Sequence, residues 1–371
     1  MLRSITSLPR GYAHLPEAQR RMYEMEREDN FRWASQLFAR LAPDPLMSTD
    51  VVDTALQDEL SDIGQFAEVA HGSMDPEFVW KYMMQLSAPG YPLHGYSALL
   101  GSELLFSLHG SVADLQGYVA YRPEQKQLVV AFSGTSSAAQ AWRDFDARLV
   151  PHPCGGGRLV HSGFWNLFSG VRIDALSAMR KAWDEYDVQE VVFTGHSMGG
   201  VMGYLLAFDI LEERASSSQL ENVTSAPRQI KVVAFGSPRI GNSAFVQRWR
   251  ELVQHFGVVE YSVRTYNDGV PALLPRRMGY RHSAERPLYL AHGRLWRIPP
   301  AQSEYSLFSL TSSSQNLGDE RFPLGGHNYY NGRDMELLQR RMQWFKPYTD
   351  EWDSLQRRFE AKLLEEKRTM G

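Results

Sequence analysis

Residues 191–211 decide most about how this chain can fold. The stretch is mostly apolar and about as long as a bilayer-spanning helix, yet Gly195, His196, Gly199, Gly200 and Asp209 interrupt it. A buried strand, a sharp turn and a buried helix accommodate those residues better than a membrane span does. This is the pattern of an α/β core, in which a mostly parallel sheet is covered by helices on both faces. At 371 residues, with 43% apolar and 22% charged, the chain is long enough to bury a large core, and wholesale disorder or a fibrous repeat is excluded.

The formal charge of -4 provides no overall attraction to nucleic acid, and no nucleic-acid partner is expected. Cys154 is the one cysteine, so no intramolecular disulfide can form. The 11 histidines are scattered and include no HExxH pair, so neither a metal nor any other cofactor is assigned. The first residues lack the apolar stretch of a secretory signal, while Arg3, Ser4, Ser7 and Arg10 lend a weak transit-peptide flavour. The expectation is a cytoplasmic protein.

Apolar residues recur at helical spacing over 16–41 and 50–69, so the first ninety or so residues read as helical. Pro89, Gly90 and Pro92 punctuate the chain, and 117–121 with 127–132 then reads as an antiparallel hairpin. Apolar strands at 191–194, 231–235 and 258–266 alternate with helical stretches, as βαβ units do. Residues 303–326 read as a long loop, and 335–367, with Trp344, Phe345 and Trp352, as a terminal helical element packing back on the body. The division expected is a helical region at 1–95, an α/β domain at 96–345 and an extension at 346–371.

Gly195-His196-Ser197-Met198-Gly199 is G-x-S-x-G between a strand and a helix. A nucleophilic serine on such a turn needs small neighbours, because side chains at Gly195 and Gly199 would collide with adjacent backbone. Its base and acid follow it in the order acid, then histidine. Asp268, just beyond the run 258–266, stands where active sites of open sheets gather. Asp209 lies about three turns into the helix after the serine, on the wrong element. Among the histidines, His292 sits beside Gly293 in an apolar run, and His282 follows Asp268 by only 14 residues. His327 is in a glycine-bearing segment before the final helices. Pattern alone sets His327 modestly ahead and leaves His282 open.

The ordered segments resemble the class 3 lipases, the fungal triacylglycerol lipase type within the α/β-hydrolase fold. Gly195 to Gly200 is similar to that family's nucleophile elbow and Val160-His161-Ser162-Gly163-Phe164 to the segment before it. Phe132-Ser133-Gly134-Thr135 resembles the oxyanion strand, with Ser133 in place of the usual arginine. Phe235 to Asn242, Asn267-Asp268-Gly269-Val270-Pro271 and His327-Asn328-Tyr329-Tyr330 resemble the family's later motifs. The resemblance covers roughly 97–345 and implies a triad of Ser197, Asp268 and His327, with backbone N–H groups of Thr135 and Met198 as oxyanion donors. It also implies a lid after Thr135, where Ala138, Ala141, Trp142, Phe145 and Leu149 form an apolar stripe suited to covering an acyl cleft.

The expected activity is therefore hydrolysis of acylglycerols or related lipid esters through an acyl-enzyme, with transient contact to a lipid surface and no cofactor. The alternatives are a phospholipase A or an esterase for soluble or aromatic esters and, outside enzymes, a silent binding or scaffold protein of the same fold. Secreted fungal members carry signal peptides and disulfides that this sequence lacks, so secretion is not carried over.

Overall fold

The computed structural model describes residues 31–72, 74–112, 115–134, 147–216, 229–265, 268–311, 326–348 and 351–370. Its centre is an eight-stranded sheet whose spatial order follows the chain. The strands are β1 (Glu103–His109), β2 (Gln116–Arg122), β3 (Gln127–Phe132), β4 (Glu190–His196), β5 (Gln229–Phe235), β6 (Val259–Thr265), β7 (Leu288–Ala291) and β8 (Arg294–Arg297). The first three pair antiparallel, β3 through β7 run parallel, and β8 closes the far edge antiparallel. The hairpin legible at 117–132 is β2–β3; β1 went unread.

Eight helices carry labels: α1 (Arg32–Phe38), α2 (Thr54–His71), α3 (Ser162–Ser169), α4 (Arg172–Glu185), α5 (Met198–Ser216), α6 (Ser243–Phe256), α7 (Met335–Met342) and α8 (Trp352–Met370). Local chemistry sets their ends. The Asp53 carboxylate accepts the Leu56 N–H at 2.9 Å to start α2. Asn242 caps α6 in the same way, and Gly257 ends that helix in the left-handed conformation at φ 64°.

The period of two along β3 builds two cores. Leu128, Val130 and Phe132 pack with Phe164, Met179, Leu205 and Trp249 of α3 to α6. Val129 and Ala131 face the other way, onto Leu60, Ile63 and Phe66 of α2. That second core also takes Leu338 of α7 with Leu355 and Phe359 of α8. Each large side chain so buried contributes about 1.5–3 kcal/mol. Val191–Phe193 of β4 and Val232–Phe235 of β5 are apolar at successive positions because water reaches neither face there.

The stretch 335–367 is two helices rather than one. Pro347, which lacks an N–H and cannot continue a helix, lies between α7 and α8, and the Phe359 ring stacks back on Phe345 with centroids 4.9 Å apart. Residues 191–211 form strand, turn and helix, and no helix among the described residues is long and apolar enough to cross a membrane. Upstream of α2 the chain runs along the β8 side of the sheet, bridging Val51 to Trp296, Leu46 to Leu310 and Leu41 to Leu307, before α1.

Candidate active site

Ser197 stands between β4 and α5 at φ 59°, a left-handed conformation that a non-glycine residue adopts only under constraint. The constraint is visible. Its N–H donates to the Phe235 carbonyl at 2.8 Å, and its own carbonyl accepts from the Ser237 hydroxyl at 2.9 Å. A Cβ at Gly199 would fall on the Phe132 carbonyl, and one at Gly195 on the backbone of Gly199, so the turn closes only with hydrogen there. Met198 is the first residue of α5, with its backbone at the positive end of the helix dipole.

Asp268 lies just past the end of β6 and is buried. Its Oδ1 accepts the Val270 N–H at 2.9 Å and its Oδ2 the Tyr330 hydroxyl at 2.6 Å. His327 Nδ1 lies 3.1 Å from both carboxylate oxygens. A carboxylate only accepts, so Nδ1 carries the hydrogen, and in the neutral ring the lone pair is left on Nε2. That Nε2 is buried with no hydrogen-bond partner among the described residues. Gly236, at φ 57°, leaves room for the group: a Cβ there would approach Asp268 Oδ2 to 2.7 Å and the Tyr330 hydroxyl to 2.9 Å.

The structure thus brings Asp268 to His327, and His327 to the elbow: its ring lies 4.3 Å, centroid to centroid, from that of His196, the residue before Ser197. His282 is elsewhere, its backbone N–H donating to Glu304 Oε1 at 3.0 Å. Its buried ring is held neutral by desolvation and then by Arg239, Arg264, Arg276 and Arg250. His292 is in the turn between β7 and β8 at φ 49°. Asp209, on α5, pairs with Arg172. Thr135, Trp142 and Phe145 lie outside the described residues. No group of three or more His, Cys, Asp or Glu among the described residues is placed to hold a metal ion.

Sequence reasoning missed the clamp behind the histidine, which is built on α2. Glu68 is buried and accepts two hydrogen bonds from Arg333, one at 2.6 Å and one at 2.9 Å. It also accepts from Asn331 at 3.1 Å and from the Tyr96 hydroxyl at 2.9 Å. This clamps the hairpin Tyr329–Tyr330/Arg333–Asp334, which follows His327 directly, to the helix. One turn further along α2, His71 Nδ1 meets His196 Nδ1 at 3.2 Å, and its ring packs against Gly134. Burial, and after it the neighbouring His327, pushes the His71 pKa down to about 3. His196 is likewise held well below the ordinary histidine value by burial and by His327 and His71. One signal was available in the sequence: Glu68 and His71, three apart, interrupt an apolar helix face.

A buried serine on a strand-to-helix elbow at one end of a parallel sheet, beside an aspartate–histidine pair, defines the class of the molecule as the α/β-hydrolase fold. The solved Rhizomucor miehei triacylglyceride lipase superposes with a TM-score of 0.58 at 19% identity, covering 78% of this chain and 98% of that one. Residues 129–278 match the family model for lipase (class 3). Over that segment the chain is similar to the class 3 lipases. A Rhizopus niveus lipase is 26% identical over 180 residues, 48% of this chain and 43% of its own length. A secreted mono- and diacylglycerol lipase of Malassezia restricta is 27% identical over 216 residues, 56% of this chain and 64% of its own. The chain spans about half the length of the curated relatives it matches. The expectation of a cytoplasmic protein is corrected by these relatives, because the Malassezia proteins are named as secreted. The composition of the first residues and the single cysteine were the wrong features on which to set secretion aside.

Proposed function

We propose that this chain hydrolyses carboxylic esters of lipids, acylglycerols foremost. Ser197 Oγ attacks the ester carbonyl as His327 Nε2 takes its proton, and Asp268 holds the Nδ1–H tautomer and stabilises the imidazolium that forms. The N–H groups of Met198 and Thr135 receive the oxyanion. His327 then delivers the proton to the leaving alcohol, and water, deprotonated by the same nitrogen, releases the fatty acid and restores Ser197. No cofactor enters.

The observation that carries this reading is the unpartnered, buried Nε2 of His327, its other nitrogen fixed on Asp268. The relatives, a mono- and diacylglycerol lipase and a triacylglyceride lipase, support acylglycerols over other esters. The secreted relatives support action outside the cell. In this reading Trp142 and Phe145 belong to a lid over the acyl cleft and meet the lipid surface transiently. Residues 96–345 carry the chemistry, while 1–95 and 346–371 support it.

The test is turnover of a panel of acylglycerols, phospholipids and a dissolved short-chain ester, alongside fluorophosphonate labelling. Labelling at Ser197 with acylglycerol hydrolysis is expected. Labelling with hydrolysis confined to phospholipids or soluble esters would move the substrate class, and failure of both labelling and turnover would leave a binding protein.

A further inference from the structure

One cavity on the same side of the molecule has no part in that chemistry. Between α1 and the loop after Asp268 lies a space of about 200 Å³, lined by Leu37, Arg40, Arg239, Arg276, Arg277 and Glu304 among others. The whole chain carries a formal charge of -4, yet among the described residues lining this space four are arginines and one is a carboxylate.

That carboxylate is already engaged. Glu304 Oε2 accepts from Arg239 Nε at 3.1 Å and lies 4.0 Å from Arg276, and its Oε1 accepts the His282 N–H at 3.0 Å. Behind Arg239 stands Arg264, 1% exposed, with one nitrogen on the carbonyls of Ser303 and Tyr305 at 2.7 and 2.6 Å. Its Nε and Nη2 have no partner among the described residues. Burial and the charge of Arg239 push its pKa down to about 9, as expected of a cation without an anion. Arg239 Nη1 and Nη2 already donate to the carbonyls of Ala272 and Glu304 at 3.1 Å, so an anion at the mouth would offset these two buried charges from a distance and be held directly by Arg40, Arg276 and Arg277.

The rim indicates where that anion comes from. Arg40, Arg276 and Arg277 are exposed, and beside them Leu37 is 60% and Met278 48% exposed. A dissolved anion needs only the arginines. Apolar side chains standing in water next to arginines are what a peripheral protein inserts among lipid head groups and acyl chains. The placement suits the catalytic machinery as well. Phe31, at the start of α1, sets its ring edge-on to His327 at 5.1 Å, and Leu37 and Phe38, at its end, line the cavity. A helix of seven residues is about 10 Å long, so a surface docked at the cavity lies one short helix from the base.

We infer that this cavity takes the phosphate of an anionic phospholipid, docking the protein on negatively charged lipid surfaces. The inference deepens the lipid-ester reading by naming the surface on which the site works. The experiment is co-sedimentation of the full chain with phosphatidylcholine vesicles and with vesicles containing about one-third phosphatidylglycerol, with hydrolysis of a dissolved short-chain ester followed in parallel.

The wild-type protein is expected to prefer anionic vesicles by about tenfold or more, and to lose that preference in high salt. Arg276→Glu with Arg277→Glu should abolish the preference, and Leu37→Ser should weaken binding, while soluble-ester turnover stays within about twofold because neither change touches the triad. Equal binding to both vesicles, or an undiminished preference in the double variant, overturns the inference. So does binding of inorganic phosphate, measured without vesicles, in a protein that ignores lipid charge. A vesicle preference in a protein that hydrolyses no ester keeps this inference and sinks the hydrolase reading; ester hydrolysis with no preference does the reverse.

Discussion

Ser197 and His327 are held by opposite means. The serine is held mainly by the chain immediately around it: a strand, two glycines, Gly195 and Gly199, that admit neighbouring backbone, and the two bonds that pin its amide and carbonyl to the end of the next strand and the turn after it. The histidine is held from far along the chain, through a hairpin clamped by Glu68 on α2, 265 residues before Arg333. A local device is written in a few adjacent residues and resists most changes elsewhere. A long-range clamp is distributed, and one substitution at the far end releases it. The two therefore fail differently, one in chemistry and the other in stability.

The sharpest break is at the elbow. Ser197→Ala should lower ester turnover by up to about a millionfold, as loss of a triad nucleophile does elsewhere, while the urea midpoint hardly changes because every backbone bond remains. Ordinary turnover in the folded variant would remove Ser197 from the mechanism.

At the clamp the effect should be on folding. Glu68→Ala leaves the Arg333 guanidinium largely buried without its carboxylate, which costs about 3–5 kcal/mol in comparable pairs. Urea unfolding measures it, and joint replacement of Arg333 by Met should recover much of the loss. A variant as stable as the parent would mean that the hairpin is held by packing, and the contrast with the elbow would dissolve.

The histidine pair sharpens the comparison through pH. His71 and His196 are buried neutral, with folded pKa values below the unfolded 6.5. The unfolded chain therefore binds more protons below that value, and stability is present above pH 6.5 and lost as pH falls toward about 3 for His71. At pH 5 the loss from His71 alone is about 2 kcal/mol. Urea midpoints at pH 7 and pH 5 should separate, and His71→Leu should narrow the gap even while lowering stability at pH 7. An unchanged gap would place the acid sensitivity in other buried histidines, such as His282.

These contrasts also explain what could be read in advance. The elbow, β3 to β6 and the start of α6 were legible because hydrophobic period, glycine and capping residues act over a few positions. Asp268 was legible from its place after a strand. His327 and His282 stayed open on pattern because what separates them is a carboxylate contact across 59 residues and a hairpin bound to α2. His71 stayed hidden because a histidine ending a helix is commonplace until the fold sets it against Gly134. The cytoplasmic expectation failed for another reason: secretion is written in processing signals and family context, not in the physics of the core.

The smallest effect tests how far the local side reaches into the base. Tyr330 belongs to the clamped hairpin, yet its hydroxyl donates to Asp268 Oδ2 at 2.6 Å while its ring packs 5.2 Å from that of His196. Tyr330→Phe keeps the ring and removes only the donor. A hydrogen bond to a charged group contributes about 1.5–3 kcal/mol, but Asp268 retains the Val270 N–H and His327, so the carboxylate is loosened rather than freed. Turnover should fall about tenfold at saturating substrate, corresponding to about 1.4 kcal/mol, with KM little changed because the hydroxyl touches no substrate. A loss in KM instead would mean that the hairpin shapes the acyl cleft. No loss at all would mean that the Val270 amide and the Glu68 clamp suffice to aim the histidine, making the long-range device the one that sets the base.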